Sequence, residues 1–245
     1  MFPYIRITLP SYSVMALLGG FAAVCFIFFR LDRFQIPFTS FLEILLLSVV
    51  GGYIGSKLLY ALTQLPWLVK NFSLKNLLLL IPQSGLVFYG GLFGVIFTLM
   101  LLTRKDANLR ARVFRMATPA MPLFHTFGRV GCFMTGCCYG KELIKPITVG
   151  VLTFTRFPVQ LVEALAEVLL FLLLLILDRK SKDADLLKTY LILYAVVRFA
   201  DEFLRGDEIR GIYFGLSTAQ WISLVIILVL IIKRIRERKE PIKAS

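Results

Sequence analysis

The stretch that decides the fold is Pro158–Asp178, PVQLVEALAEVLLFLLLLILD. Its length, about 20 residues, is what a helix needs to cross the hydrocarbon core of a bilayer, and from Val168 to Leu177 every side chain is apolar. The same run carries Glu163 and Glu167 one helical turn apart. A carboxylate at membrane depth is disfavoured by about 2.5–3.5 kcal/mol on insertion scales, so this segment reads as a membrane helix that also has work to do.

Outward from it, six more segments read as membrane helices: 12–30, 38–64, 85–103, 116–135, 188–205 and 217–233. The expected class is an all-α polytopic membrane protein with about seven transmembrane helices, forming a single membrane-embedded domain over residues 1–245. The composition agrees. Hydrophobic residues make up 58% of the chain and the mean hydropathy is +0.79, well above the roughly 45–50% apolar usage of soluble domains. The segment Asn76–Gln83, NLLLLIPQ, is too short to span and ends at Pro82, so it is expected to lie in the outer interface. Residues 141–156 contain Pro146 and alternating residues and are expected to form an ordered outward loop.

The formal net charge of +13 would suit nucleic acid if it were spread over one face, but it is clustered between apolar runs. Arg104, Lys105, Arg110, Arg112 and Arg115 form one cluster, and Lys233, Arg234, Arg236, Arg238 and Lys239 another. This is the positive-inside pattern, and no nucleic-acid partner is expected. Alternate loops on the side of the C-terminus hold about twice the Lys and Arg of the other side, which puts the C-terminus in the cytoplasm and the N-terminus outside. The first apolar stretch lacks the basic and small-residue flanks of a cleaved signal peptide, so it is read as a retained span, and Val24 makes Cys25 a poor lipidation site. There is no internal repeat of the kind that marks many transporters.

The ionisable residues inside the spans are the candidate functional groups. Arg129 lies in HTFGRVGCFMTGCCYG (His125–Gly140), and Arg198, Asp201, Glu202 and Arg205 lie in VVRFADEFLRGD (Val196–Asp207). Lys57 falls in GGYIGSKLLY. On a continuous helix Arg198, Glu202 and Arg205 would share one face, at i, i+4 and i+7. Arg198 with Glu202 alone could be a structural ion pair. Two arginines against one glutamate, with Arg129 added, leave surplus positive charge that suits a phosphate, whose oxygens match a guanidinium fork.

Glycine gives a second signal. GGYIG (Gly51–Gly55) reads as close helix packing, whereas Gly90, Gly91 and Gly94 in FYGGLFG, next to Tyr89, read as a ligand-facing turn. His125, the sole histidine, is either a hydrogen-bonded structural residue or a general base. Cys132, Cys137, Cys138 and His125 have neither standard zinc spacing, so no metal site and no cofactor are expected.

These blocks together resemble the bacterial prolipoprotein diacylglyceryl transferase family over nearly the whole chain. Its signature, roughly G-R-x-G-N-F-x-N-x-E-x-x-G, is matched by Gly128, Arg129, Gly131, Phe133 and Gly140. SYSVMALLGGF with Tyr12, GGYIGSKLLY, FYGGLFG, RFPVQLVEALAE with Arg156, Gln160 and Glu163, RFADEFLRGD and GLSTAQWIS follow in family order. The resemblance implies a seven-span fold of the bacterial inner membrane with a small outward-facing head region. It also implies transfer of a diacylglyceryl group from phosphatidylglycerol to the lipobox cysteine of prolipoproteins, with glycerol phosphate leaving. On this reading Arg129 holds the phosphate, Arg198, Glu202 and Arg205 belong to the same site, and Tyr12, Gly128, Gly140, Gln160 and Glu163 help to shape it among membrane lipids.

The departures from the family pattern fall on the acceptor half of the site. The family's functional histidine is Tyr89 here, the two signature asparagines are Cys132 and Thr135, the signature glutamate is Cys137, and the arginine of the G-x-R-x-G block is Tyr53. Tyr89 is a poor base at neutral pH, which leaves two ways to ionise the acceptor thiol: His125, four residues before Arg129 on the same helical face, as the base, or the positive field of the arginines alone. Two alternatives stay open: a family paralogue with a phospholipid donor and a different acceptor, and a non-enzymatic lipid-binding or transport protein.

Overall fold

The computed structural model describes residues 4–5, 9–65, 73, 87–149, 152–181, 184–207 and 211–239. Each of the seven expected spans forms a helix: α1 (Ser11–Phe28), α3 (Phe38–Thr63), α4 (Phe88–Leu102), α6 (Ala120–Thr135), α7 (Val159–Lys180), α8 (Leu186–Asp201) and α9 (Thr218–Lys239). Between them lie the short α2 (Leu31–Phe34) and α5 (Ala107–Ala117). The expected interfacial helix at Asn76–Gln83 falls outside the described residues.

Three of these helices, α1, α3 and α7, are long and apolar enough to cross a membrane. The others are shorter or carry charge. At 1.5 Å per residue, the 16 residues of α6 reach about 24 Å, less than the roughly 30 Å hydrocarbon core.

The protein is not purely helical. Three antiparallel strand pairs occur among the described residues: β1 (Tyr4–Ile5) with β2 (Leu9–Pro10), β3 (Glu142–Val149) with β4 (Leu152–Arg156), and β5 (Ile212–Tyr213) with β6 (Leu216–Ser217). The expected loop at 141–156 is therefore a hairpin. Its register slips between Glu142 and Ile147, where Pro146 has no N–H to donate. In the β5–β6 pair, Phe214 and Gly215 both take positive φ, the geometry of a two-residue hairpin turn.

The basic cluster at 104–115 is also structured. Asp106 accepts hydrogen bonds from the backbone N–H groups of Asn108 (2.8 Å) and Leu109 (2.9 Å) and so caps α5, whose Val113 and Met116 are buried. The other helix ends follow familiar capping chemistry. Asp185 accepts from the N–H of Lys188 and starts α8 two residues before the expected boundary. Ser217 and Gln220 form a reciprocal capping box at the start of α9.

The chain divides into two compact units, Met1–Ile27 with Ala117–Ser245, and Phe28–Met116. In the second, α3 and α4 pack at backbone distance. A Cβ on Gly55 would strike the Gly90 carbonyl, and one on Gly94 would strike the Gly51 carbonyl. Gly90 and Gly94 thus face α3 from inside a helix instead of forming a ligand-facing turn. In the first unit α6 lies against α7, α7 against α8, and α8 against α9.

That unit is polar inside and apolar outside. Glu163 and Glu167 are 1% and 0% exposed, whereas Leu165 and Leu169 on the same helix are 60% and 58% exposed. Water would not tolerate so much apolar surface around buried charge, and a lipid environment accounts for both.

Candidate active site

The polar interior of the first unit is built from α6, α7 and the end of α8. Pro119 and Pro122 sit at the N-terminal end of α6, where a missing N–H costs nothing, and Gly136, at φ 75°, ends it. The backbone N–H groups of Cys137 and Gly136 donate to the carbonyls of Cys132 (3.1 Å) and Phe133 (3.2 Å), a Schellman closure.

On the α6 face toward α7, His125 and Arg129 are one turn apart and both buried. Arg129 Nη2 is 2.7 Å from Glu163 Oε1, and its Nε donates to His125 Nε2 at 3.2 Å. His125 Nδ1 is 2.8 Å from Glu167 Oε1. The four side chains form one chain, Glu167–His125–Arg129–Glu163. Because Arg129 can only donate, His125 Nε2 is the accepting nitrogen and Nδ1 carries the proton toward Glu167. His125 therefore orients Arg129, and its lone pair is occupied while Arg129 stays where it is.

Tyr190, Tyr194, Arg198 and Asp201 run down one face of α8, all buried. Tyr194 meets the His125 ring edge-on at 5.4 Å and stacks on Tyr190 at 5.7 Å. These tyrosines were not among the expected site residues, although their i, i+4 spacing ahead of Arg198 was a usable signal. Arg198 Nη2 lies 2.8 Å from Glu202 Oε2, and Arg198 Nη1 is buried without a hydrogen-bond partner.

Arg205 does not continue this face. The helix ends at Asp201, and Arg205 pairs its backbone with Gly140 while its guanidinium grips Asp207 with two bonds of 3.0 and 2.6 Å. Among the described residues the expected surplus of positive charge is therefore absent. Each of the three arginines has a carboxylate partner, and Glu167 and Asp201 add further acidic groups.

The loop after α6 is stitched to these elements. Lys141 N donates to Leu204 O (2.9 Å), Gly206 N to Tyr139 O (3.0 Å), and Gln160 Nε2 to Cys137 O (2.7 Å). Gly140 is required by this crossing, since a Cβ there would collide with the Phe157 carbonyl. Gly128 is different. A Cβ on it would meet nothing within 4 Å. Tyr12 on α1 packs against Gly131, where an added Cβ would lie 3.3 Å from the tyrosine ring.

In the loop, the Sγ atoms of Cys132, Cys137 and Cys138 lie within 4.8 Å of one another. The neighbouring thiols of Cys132 and Cys137, with the fields of Arg205 and Arg129, pull the Cys138 thiol below the usual cysteine range.

Tyr89, Gly90, Gly91 and Gly94 belong to the other compact unit. Tyr89 is buried there and stacks on Phe93 at 5.9 Å. Lys57, in the same unit, lies over the ring of Tyr53.

A family model described as prolipoprotein diacylglyceryl transferase matches residues 1–235. The chain belongs to that family. The chain is similar to the phosphatidylglycerol–prolipoprotein diacylglyceryl transferase of Clostridium tetani, with 32% identity over 94% of this chain and 93% of the relative. It is also similar to phosphatidylglycerol–prolipoprotein diacylglyceryl transferase 2 of Clostridium perfringens, at 30% over 80% and 79%. The protein of the same activity name from Idiomarina loihiensis is 32% identical over 78% and 73%. Within the diacylglyceryl transferase family signature, Arg129 lies on the α6 face toward α7, Cys132 and Thr135 in the last turn of α6, and Cys137 to Gly140 in the stitched loop.

Proposed function

We propose that this chain is a seven-span enzyme of the bacterial cytoplasmic membrane, working as one domain. On this reading it transfers the diacylglyceryl group of phosphatidylglycerol to the lipobox cysteine thiol of prolipoproteins. The supporting observation is the family membership together with a buried arginine, Arg129, held by His125 and Glu163. In the reaction the acceptor sulfur forms a bond to the glycerol carbon, the bond from that carbon to the phosphate oxygen breaks, and glycerol phosphate departs with the electron pair. The leaving phosphate gains charge as the bond breaks, and preorganised guanidinium donors in a water-poor site stabilise that charge most.

Before the lipid binds, Arg129 uses Nε on His125 and Nη2 on Glu163, and on binding its guanidinium turns from His125 toward the phosphate. Arg198 offers its unpartnered Nη1. The thiol must also lose a proton. When Arg129 turns toward the phosphate, the lone pair of His125 Nε2 is released to accept that proton, while Glu167 stabilises the imidazolium through Nδ1. Binding of the donor lipid would thereby switch on the base.

The N-terminus outside and the C-terminus in the cytoplasm complete the reading. A reporter fused in residues 141–156 should face out and one after Ser245 should face in, and reversal of both would remove an outward-facing site. A family member with a different acceptor is the second reading, favoured by the replacements at Tyr89, Cys132, Thr135 and Cys137. The deciding assay incubates purified protein with headgroup-labelled phosphatidylglycerol. Release of labelled glycerol phosphate only when a lipobox peptide is added supports the transferase reading, and movement of intact lipid without release refutes it.

A further inference from the structure

The three cysteines at the end of α6 are not absorbed by the proposed transfer chemistry, and along the chain their C-x4-C-C spacing fits no common zinc pattern. The fold brings them together nonetheless. Cys132 is in the last turn of α6, the Schellman closure at Gly136 reverses the chain, and Cys138 takes a left-handed φ of 55°. All three sulfurs consequently lie within 4.8 Å of one another.

A tetrahedral site with Zn–S bonds of about 2.3 Å places its sulfurs about 3.8 Å apart, so the trio needs to contract by at most about 1 Å. The loop is already fixed by the Gln160 bond to the Cys137 carbonyl and by the Lys141–Leu204 and Gly206–Tyr139 backbone bonds, so little ordering remains to be done on binding. Cys132 is buried, Cys138 is half-buried and Cys137 is exposed, which gives an ion an entry path.

We propose that Cys132, Cys137 and Cys138 form a three-thiolate site for a thiophilic divalent cation of the zinc type, with a fourth position open to water or an exogenous ligand. Thiolate sulfur selects soft and borderline metals over magnesium or calcium. Three thiols give up three protons to a divalent ion and leave a complex of net charge −1. The C-terminal end of α6 directs its carbonyl dipoles at the same spot, which favours a cation there. The free trio places sulfur atoms against one another at that negative helix end, and a bound cation relieves this.

The inference does not depend on the transferase reading, and its test does not use turnover. Full-length protein, reduced and treated with chelator in detergent micelles, is titrated with Cd2+ while the ultraviolet sulfur-to-cadmium charge-transfer band is followed. The band should saturate at one equivalent per chain, disappear in the Cys132→Ser/Cys138→Ser variant, and persist in Cys25→Ser. X-ray absorption of the zinc-loaded wild-type protein should show sulfur scatterers at about 2.3 Å, a readout that holds even if the double variant fails to fold. Absence of the band, its persistence in the double variant, or a zinc shell of only oxygen and nitrogen would overturn the site.

Discussion

Replacing Arg129 separates the structural and chemical roles of the buried chain Glu167–His125–Arg129–Glu163. Arg129→Ala leaves Glu163, 1% exposed, with no cation at 2.7 Å, and removes the donor that faces His125 Nε2. Loss of one partner of a buried ion pair costs about 3–5 kcal/mol, and a deserted buried acceptor adds about 1–3 kcal/mol. That is a large share of the 5–15 kcal/mol stability of an ordinary domain, so Arg129→Ala should melt far below wild type when helix content is followed on heating in micelles.

Arg129→Lys keeps the charge but cannot reach Glu163 and His125 together, and should lose one charge-assisted hydrogen bond, about 1.5–3 kcal/mol. Its glycerol phosphate release should nevertheless fall about 10²-fold or more, the scale of removing a preorganised donor from a developing anion. An Arg129→Lys enzyme with wild-type turnover would refute the fork argument. Wild-type stability in Arg129→Ala would refute the buried pair.

Arg198→Ala should abolish release of glycerol phosphate and, by removing the 2.8 Å partner of Glu202, should melt below Arg198→Lys, whereas full turnover in Arg198→Ala together with an unfolded Glu202→Ala would make that pair purely structural. Gly55→Leu should destabilise the α3–α4 packing by several kcal/mol, since its side chain would meet the Gly90 carbonyl, and should appear as loss of folded protein in a detergent-resistance assay. His125→Ala should reduce turnover by about 10²-fold or more, with Glu167→Gln intermediate and Tyr89→Phe mild. A fully active His125→Ala, Tyr89→Phe double variant would eliminate both side chains as the base.

Much of this arrangement was legible in the sequence because lipid imposes strong rules. Runs of about 20 apolar residues marked the helices, and charge inside them marked Arg129, Glu163 and Arg198, since burying charge in an apolar helix needs a compensating partner. What the sequence obscured depended on contacts between distant segments. The partner of Arg129 is Glu163, 34 positions away on α7, and no local spacing announces it. The even pairing of arginines with carboxylates was hidden because Arg205 leaves the helical face to bridge Gly140 and grip Asp207. Gly90 and Gly94 looked like a ligand turn beside Tyr89, and only the approach of α3 shows that they are needed for packing. α5 was recoverable from Asp106 ahead of an amphipathic run, a capping signal masked by its dense basic charge.

The most direct measurement is mass spectrometry of a synthetic lipobox peptide incubated with the purified protein and phosphatidylglycerol. The account predicts a peptide whose cysteine alone carries one diacylglyceryl group through a thioether, formed in step with glycerol phosphate release. It also predicts that this product is absent with Arg129→Ala or with a peptide whose lipobox cysteine is serine. An unmodified peptide in the presence of folded protein and donor lipid, or a product in which an acyl chain alone has moved, would contradict it.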